Sequence, residues 1–199
     1  MKIGLFCGTF DPFTLAHYEI VKQCKKKLDH IIIMPSIVKC HRTLKSTMLN
    51  DLQRIVCIKN MISRLNNVHI DLSMLKIKEK YKYNDYRIIS KLRFIHILKM
   101  IKYKINDDIF PIIGIDHYNN FMSWFKYNEI LDLSSKLIVA VSESGYDRNF
   151  NKINLHYNEF IYDKSCFVEL NKDVALISAT FIRNQLKQST IKDHCFFSI

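Results

Sequence analysis

Residues 2–17 read KIGLFCGTFDPFTLAH, and their pattern is the clearest indication of the fold class. Its first part, residues 2–6, is a continuous apolar run of the kind that forms a strand buried on both faces. Gly8 follows closely, Asp11-Pro12 suits a turn, and a pattern of helical period starts at Ala16. The stretch therefore predicts a strand, a glycine-containing loop and a helix, which together open a parallel α/β sheet.

The rest of the chain repeats this alternation of short apolar runs and amphipathic segments. The four glycines and three prolines fall within or just after the apolar runs, where strands end. We predict strands at 2–6, 30–34, 68–72, 108–115, 137–141 and 174–177, and helices at 16–27, 47–65, 85–104, 119–131 and 179–186. Residues 76–87 are rich in Lys and Tyr and are predicted to form an exposed connection. This order indicates an α/β fold with a doubly wound parallel sheet, whose ligands bind outside the carboxyl ends of the strands.

Two of the predicted helices are long and have a clear apolar face. Steps of three and four residues predict the inward positions of the 47–65 helix as Leu52, Ile55, Val56, Ile58, Lys59 and Ile62. The same steps in the 85–104 helix predict Ile88, Ile89, Leu92, Ile95, Leu98 and Ile101.

The composition describes one folded domain. The chain has 199 residues, of which 48% are hydrophobic, and this excludes disorder as its main description. We expect a single domain over residues 1–199, with the C-terminal region 174–199 included. No apolar run approaches the roughly 18 residues of a membrane-spanning helix, and no secretory segment is recognisable. We therefore expect a cytoplasmic protein with no membrane partner.

The charge and the cysteines limit the classes of partner. Thirty Lys and Arg against nineteen Asp and Glu give a net charge of +11, which is typical of a basic solvated surface or of a protein that binds a polyanion. The excess is spread along the chain rather than gathered in a tail, so we expect no nucleic-acid partner. The six cysteines include no CxxC pair and no metal-ligand spacing, which favours reduced thiols and predicts no metal site made of protein ligands.

The strongest candidate site follows the first strand. Backbone N–H groups of Gly8, Thr9 and Phe10 can cradle a phosphate. Thr14 and His17 are three residues apart, so at the start of a helix they project to one side, where the helix N-terminus favours an anion. A capped turn with a histidine satisfied inside the protein is the alternative, and the residue chemistry leaves both open.

A second candidate site lies near the other end of the chain, where residues 177–183 read ISATFIR. Ser178 can cap the helix that follows, and Thr180 and Arg183 share one face of its first turn. A hydroxyl, backbone amides and a guanidinium together can bind phosphate. An ordinary helix cap with a surface arginine is the alternative.

These two stretches together resemble the (H/T)xGH nucleotidyltransferase superfamily. GTFDP followed by T-x-A-H resembles its phosphate-binding signature, with Ala16 as a departure at the glycine position. The C-terminal stretch matches the marked positions of its ISxTxxR motif. The resemblance implies a Rossmann-like fold of nucleotidyltransferase type, in which Thr14, His17 and Arg183 are catalytic. It also implies that ATP phosphates bind at residues 8–10 and at Ser178, Thr180 and Arg183.

Three further stretches resemble the nicotinate/nicotinamide mononucleotide adenylyltransferases of that superfamily. His41 and Arg42 match the end of the loop after the second strand, and Gly114 and Asp116 match a GxD element followed by Trp124. The third stretch, residues 139–146, resembles a V-x-x-R-x-G-Y element. The resemblance implies that Gly114 and Asp116 bind ATP, with Asp116 accepting a hydrogen bond from the adenosine ribose. It implies that His41 and Arg42 hold the phosphate of the mononucleotide and that Trp124 stacks on its pyridine ring. Burial in the core is the alternative for a lone tryptophan.

The resemblance implies adenylyl transfer from ATP to nicotinate mononucleotide, with Mg²⁺ and with pyrophosphate as the leaving group. Glu143 stands where the family has arginine, and the preference between nicotinate and nicotinamide mononucleotide stays open. Phosphopantetheine adenylyltransferase, of the same superfamily, is one alternative, and an inactive basic nucleic-acid-binding module on this fold is another. A homo-oligomer is compatible with the sequence.

Overall fold

The computed structural model describes residues 1–36, 49–80, 92–142, 155, 158–175, 177 and 179–188. They contain one sheet of six parallel strands in the order β3-β2-β1-β4-β5-β6. The strands are β1 (Lys2–Gly8), β2 (His30–Pro35), β3 (Val68–Ile70), β4 (Asp108–Gly114), β5 (Leu137–Ser142) and β6 (Ser165–Leu170). The predicted doubly wound α/β sheet is confirmed.

The position of β1 fixes where a ligand can bind. The chain runs from β1 outward through β2 to β3, and then returns to the other side of β1 to form β4. In a sheet of this order the crevice lies at the carboxyl ends of the two strands where the direction reverses. The ends of β1 and β4 are adjacent, because Phe6 pairs with Ile112 and both strands run on by two residues.

Helices cover both faces of the sheet. They are α1 (Leu15–Cys24), α2 (Asp51–Ile62), α3 (Ser73–Lys80), α4 (Phe94–Lys104), α5 (Ile115–Asn119), α6 (Tyr127–Leu133), α7 (Glu159–Asp163), α8 (Lys172–Ala175) and α9 (Ala179–Gln188), with a 3₁₀ turn at Phe121–Ser123. One apolar cluster packs α1 and α2 on one face, and a second packs α3, α4, α6 and α7 on the other. No helix in the ranges given above is long and apolar enough to cross a membrane.

The buried face of α2 agrees with the prediction only in part. Ile58 and Ile62 are buried as predicted, together with Arg54 and Cys57, whereas Leu52 is 69% exposed and Val56 is 45% exposed. The three- and four-residue steps that start at Leu52 follow an adjacent side of the helix, so the pattern alone did not separate the side that faces the sheet from the one beside it. The helix is also shorter than predicted, because the Asn50 side chain caps it by accepting a hydrogen bond from the backbone N–H of Gln53.

The structure describes only parts of two predicted segments, the helix at 85–104 and the exposed connection at 76–87. The C-terminal half of the helix is confirmed, with Ile95, Leu98 and Ile101 buried. It begins at Phe94, and residues 81–91 lie outside the described residues. Residues 76–80 belong to α3 rather than to a connection, and Met74 and Leu75 at its start anchor this helix in the core.

Two further predictions differ from the structure after residue 118. The predicted 119–131 helix is interrupted, because Lys126 adopts a left-handed backbone (φ 58°) before α6 begins. The last strand is Ser165–Leu170, and the predicted strand at 174–177 is wrong, since α8 occupies residues 172–175. Exposed Glu169 interrupts the buried positions of β6, so this edge strand lacks the continuous apolar run of the central strands. That the whole chain forms one domain stays a prediction.

Two leucine substitutions test this assignment of buried and exposed positions. Leu5→Ala should lower the free energy of unfolding by about 2–5 kcal/mol, because Leu5 is fully buried in the central strand. Leu52→Ala is the matched control and should change it by less than about 0.5 kcal/mol. Urea unfolding measures both, and equal losses would contradict the assigned face of α2.

Candidate active site

The loop of residues 8–14, which we call the phosphate loop, connects β1 to α1. A Cβ atom on Gly8 would lie 2.7 Å from the ring of Phe10, so the loop closes tightly only with glycine at this position. Phe10 adopts a left-handed backbone (φ 50°), and its side chain is buried. The loop is thus held in one conformation by a buried ring rather than by flexible surface residues.

Thr14 and His17 form a reciprocal cap at the start of α1. The Thr14 hydroxyl accepts from the backbone N–H of His17, and His17 Nδ1 accepts from the backbone N–H of Thr14 at 2.9 Å. A backbone N–H can only donate, so Nδ1 carries no proton in this arrangement. The neutral imidazole therefore has its proton on Nε2, which makes this nitrogen a hydrogen-bond donor.

Three aromatic rings surround the imidazole of His17. The ring centroids of Phe10 and Phe13 each lie 5.2 Å from it, and that of Phe6 lies 6.0 Å from it. These contacts, together with the cap, fix the orientation of the half-buried His17 ring.

Asp11 joins the two candidate sites found in the sequence. Arg183 on α9 donates from Nη1 to the main-chain carbonyl of Asp11 at 2.5 Å, and the same nitrogen lies 3.9 Å from Asp11 Oδ2. Arg183 Nη2 donates to the Thr180 hydroxyl at 2.9 Å. The Asp11 carboxylate also accepts from the backbone N–H of Leu49 at 2.8 Å. Residues 172 positions apart in the chain are therefore in direct contact beside the phosphate loop.

The end of β4 lies next to the phosphate loop and leaves room beside it. Gly114 is the N-cap of α5 and has an ordinary backbone conformation (φ −83°). A Cβ atom built on it would meet no atom of the described residues within 4 Å. Neither the backbone nor the packing requires glycine here, so its effect is to keep the crevice open. Asp116 lies in the first turn of α5 and is half-buried.

Trp124 is half-buried among other rings. Its ring lies 5.3 Å from that of Phe121, 5.4 Å from that of Phe94 and 5.6 Å from that of His117. It therefore contributes to the core, as the alternative interpretation expected, and its incomplete burial leaves part of the ring accessible. Its predicted contact with a pyridine ring stays a prediction.

Four residues singled out in the sequence lie outside the described residues. They are His41, Arg42, Glu143 and Ser178. Their predicted roles, and the effect of the Glu143 departure, stay predictions.

Arg54 is the residue near this site that sequence reasoning missed. Its side chain is fully buried, and its Nη1 donates to the carbonyls of Thr9 at 2.6 Å and Ser36 at 3.1 Å. Its Nη2 donates to Asp51 Oδ1 at 2.5 Å. A signal was present in the sequence, because Arg54 precedes Cys57, Ile58 and Ile62 at helical steps and so lies on the buried face.

Asp51 links Arg54 to α3. It accepts hydrogen bonds from Arg54 and from Lys78. Burial alone would raise the pKa of the Asp51 carboxyl, but the hydrogen bonds from Lys78 and Arg54 outweigh it and hold the pKa below its usual value. Asp51 therefore stabilises the folded protein at neutral pH, and this contribution is lost as the pH falls through the lowered pKa.

Comparison with known proteins identifies the family. The family model described as cytidylyltransferase-like matches residues 5–185. A Fusobacterium nucleatum protein named "Probable nicotinate-nucleotide adenylyltransferase" is 30% identical over 189 residues, which cover 94% of this chain and 88% of that protein. The chain belongs to the cytidylyltransferase-like family and, within it, to the nicotinate-nucleotide adenylyltransferases.

Further relatives and solved structures agree with this family. A Pelagibacter ubique protein of the same name is 28% identical over 172 residues, covering 86% of this chain and 87% of that protein. The "Plasmodium falciparum nicotinic acid mononucleotide adenylyltransferase complexed with NaAD" has a TM-score of 0.62 at 18% identity, with 92% of this chain and 82% of that chain covered. A Vibrio parahaemolyticus structure named as a nicotinate-nucleotide adenylyltransferase has a TM-score of 0.55 at 19% identity, with 96% and 90% covered. The Rossmann-like nucleotidyltransferase fold is confirmed.

The cap between Thr14 and His17 can be tested by stability measurements. Thr14→Ala should lower the free energy of unfolding by about 1 kcal/mol more than Thr14→Ser, because serine keeps the capping hydroxyl. Both variants lose the same methyl group, so their difference isolates the hydroxyl. Urea unfolding of the two variants checks this, and equal stabilities would show that the hydroxyl does not cap α1.

Proposed function

We propose that this protein transfers the adenylyl group of ATP to nicotinate mononucleotide, releasing pyrophosphate and forming the deamido-dinucleotide for NAD biosynthesis. One observation carries the proposal: Arg183 contacts Asp11, so that both phosphate-binding motifs of the family lie beside the open crevice between β1 and β4. The names of the relatives support nicotinate mononucleotide as the acceptor.

The reaction we propose is a direct in-line attack of the mononucleotide phosphate on the α-phosphorus of ATP. The bond from the α-phosphorus to the bridging oxygen breaks, and pyrophosphate leaves with the electron pair. Such a transfer requires positioning and charge stabilisation rather than a protein nucleophile. His17 donates from Nε2 to a phosphate oxygen, with Thr14 holding the ring, and the backbone N–H groups of residues 8–10 bind the phosphates.

The remaining site residues have roles at the two ends of the reacting group. Arg183, with Thr180 and Ser178, holds the departing pyrophosphate. Asp116 accepts a hydrogen bond from the ribose of ATP, and the open side of Gly114 lets the nucleotide approach the backbone.

The acceptor is held by residues from other segments. His41 and Arg42 bind the phosphate of the mononucleotide, and the accessible part of Trp124 stacks on its pyridine ring. An aromatic face beside an electron-poor ring favours a pyridine nucleotide over a flexible aliphatic acceptor.

Mg²⁺ is the metal that this reaction requires. Within the described ranges, no group of three His, Cys, Asp or Glu side chains is placed to hold a metal ion. This fits Mg²⁺, which is commonly held through substrate phosphates and water. When bound, Mg²⁺ neutralises charge on the phosphates. We assign it no protein ligand.

A cytoplasmic location is also part of the proposal. The four cysteines in the described residues are free thiols, which suits a reducing compartment. The absence of a nucleic-acid partner and the oligomeric state stay predictions.

Substitutions of His17 test which ring nitrogen acts on the phosphate. His17→Ala should lower kcat at least 10²-fold, equivalent to about 3 kcal/mol of transition-state stabilisation. His17→Gln should retain more activity than His17→Asn, because a glutamine amide reaches about as far as Nε2 and an asparagine amide only about as far as Nδ1. Steady-state kinetics checks this order. Near-normal turnover of His17→Ala would contradict the proposed hydrogen bond from His17 to the reacting phosphate.

The proposed function is tested by measuring pyrophosphate release from ATP and Mg²⁺ with different acceptors in parallel. Release with nicotinate mononucleotide is the expected result, and the rate with nicotinamide mononucleotide gives the preference between the two. Release only with phosphopantetheine would contradict nicotinate mononucleotide as the acceptor, but it would still agree with a nucleotidyltransferase of the same superfamily. No release with any acceptor, together with tight, salt-dependent binding of a random oligonucleotide, would favour the nucleic-acid-binding alternative.

A further inference from the structure

Arg54 is a fully buried cation directly behind the phosphate loop. Its guanidinium contacts three segments: the end of β1 through the Thr9 carbonyl, the end of β2 through the Ser36 carbonyl, and its own helix through Asp51. The ends of the two strands are also joined directly, because the backbone N–H of Ser36 donates to the Gly8 carbonyl at 2.8 Å. The guanidinium thus lies at the point where these elements meet.

Stability alone does not explain an arginine at this position. Removing a guanidinium from water is costly, and a well-packed apolar side chain is often at least as stabilising. The cost is increased here because Arg54 Nε finds no hydrogen-bond partner within the described part of the chain. Its retention is better explained by what the guanidinium does to the groups it binds.

The contact with Thr9 sets the orientation of the next amide. In a trans peptide the C=O of one residue and the N–H of the following residue point in opposite directions. The Thr9–Phe10 bond is trans, since the cis bond of this loop is Asp11-Pro12. Because Arg54 holds the Thr9 carbonyl on its own side, the N–H of Phe10 points away from Arg54. This N–H is one of the amides proposed to bind the ATP phosphates.

We infer that Arg54 is a positioning residue for adenylyl transfer, which orients the Phe10 N–H toward the phosphates by binding the Thr9 carbonyl. Asp51 holds the guanidinium in place, and Lys78 supports Asp51 from α3. Lysine cannot replace arginine here, because a single ammonium lacks the planar fork that contacts two carbonyls and a carboxylate at once. The inference rests on the proposed function.

The test compares Arg54→Lys and Arg54→Met with Ile58→Val, a conservative change one turn further along the same buried helix face. Kinetics are measured with ATP and nicotinate mononucleotide, below the unfolding midpoint of every variant and per mole of folded protein. Both Arg54 variants should lose roughly 10²-fold in kcat, because a misplaced amide acts on the transition state. Their KM for the mononucleotide should change by less than about threefold. Ile58→Val should lower the midpoint and keep kcat within about twofold.

Two results would overturn the inference. One is a normal kcat in Arg54→Lys together with a lowered kcat in Arg54→Met. Catalysis would then depend on the positive charge at this position and not on the planar geometry of the guanidinium. The other is a normal kcat in both variants with only a lower unfolding midpoint, since Arg54 would then be purely structural. If neither Arg54 variant folds, Asp51→Asn provides the test, because Asp51 is 31% exposed and its loss leaves the guanidinium less well held. A several-fold loss of kcat is expected for it, and an unchanged kcat would overturn the inference.

Hydrogen–deuterium exchange separates failure of this inference from failure of the proposed function. Peptides covering residues 8–13 should exchange faster in Arg54→Lys than in the wild type and should be unchanged in Ile58→Val. This readout requires no turnover. A wild type that releases no pyrophosphate with any acceptor would therefore refute the proposed function, while unchanged exchange in Arg54→Lys would refute the role of Arg54.

Discussion

The hydrogen bond from Arg183 to the main-chain carbonyl of Asp11 is the interaction on which the site depends. It joins the phosphate loop before α1 to helix α9, near the other end of the chain. Asp11 is well placed for this, because it is almost fully buried and its carboxylate is bound by the backbone N–H of Leu49. Without this contact, each motif would be an ordinary strand-to-helix or helix-capping turn, and neither alone surrounds a nucleotide.

A second layer behind the phosphate loop supports this arrangement. The Phe10 and Phe13 rings fix His17, and the Arg54 guanidinium holds the loop backbone at the Thr9 carbonyl. Among the described residues, the site brings together loop amides, the His17 imidazole and the Arg183 guanidinium. These groups suit an adenylyl transfer in which the protein binds and orients charged phosphates.

The sequence predicted those features that depend on local patterns. The central strand β1 was predicted because it is apolar on both faces. The spacing of Thr14 and His17 predicted that they lie on one side of the first turn of a helix, and the cap that they form there was one of the two interpretations left open. Features that depend on tertiary contacts were not readable. Leu52 and Val56 were wrongly predicted to be buried because they are as apolar as Ile58 and Ile62, which do face the core. Strand β6 was missed because an edge strand need not be continuously apolar. Arg54 was overlooked since a charged residue on an apolar face is normally assigned to solvent, and only its three acceptors explain its burial.

A crystal structure of the protein with Mg²⁺ and an ATP analogue that carries a methylene group between the α- and β-phosphorus would show whether both motifs bind one nucleotide. We expect the phosphates to lie between His17 Nε2 and the Arg183 guanidinium, with an oxygen within hydrogen-bonding distance of each and the adenosine beside Gly114. Phosphates bound elsewhere, or bound by only one of the two motifs, would contradict the claim that the two ends of the chain form a single adenylyl-transfer site.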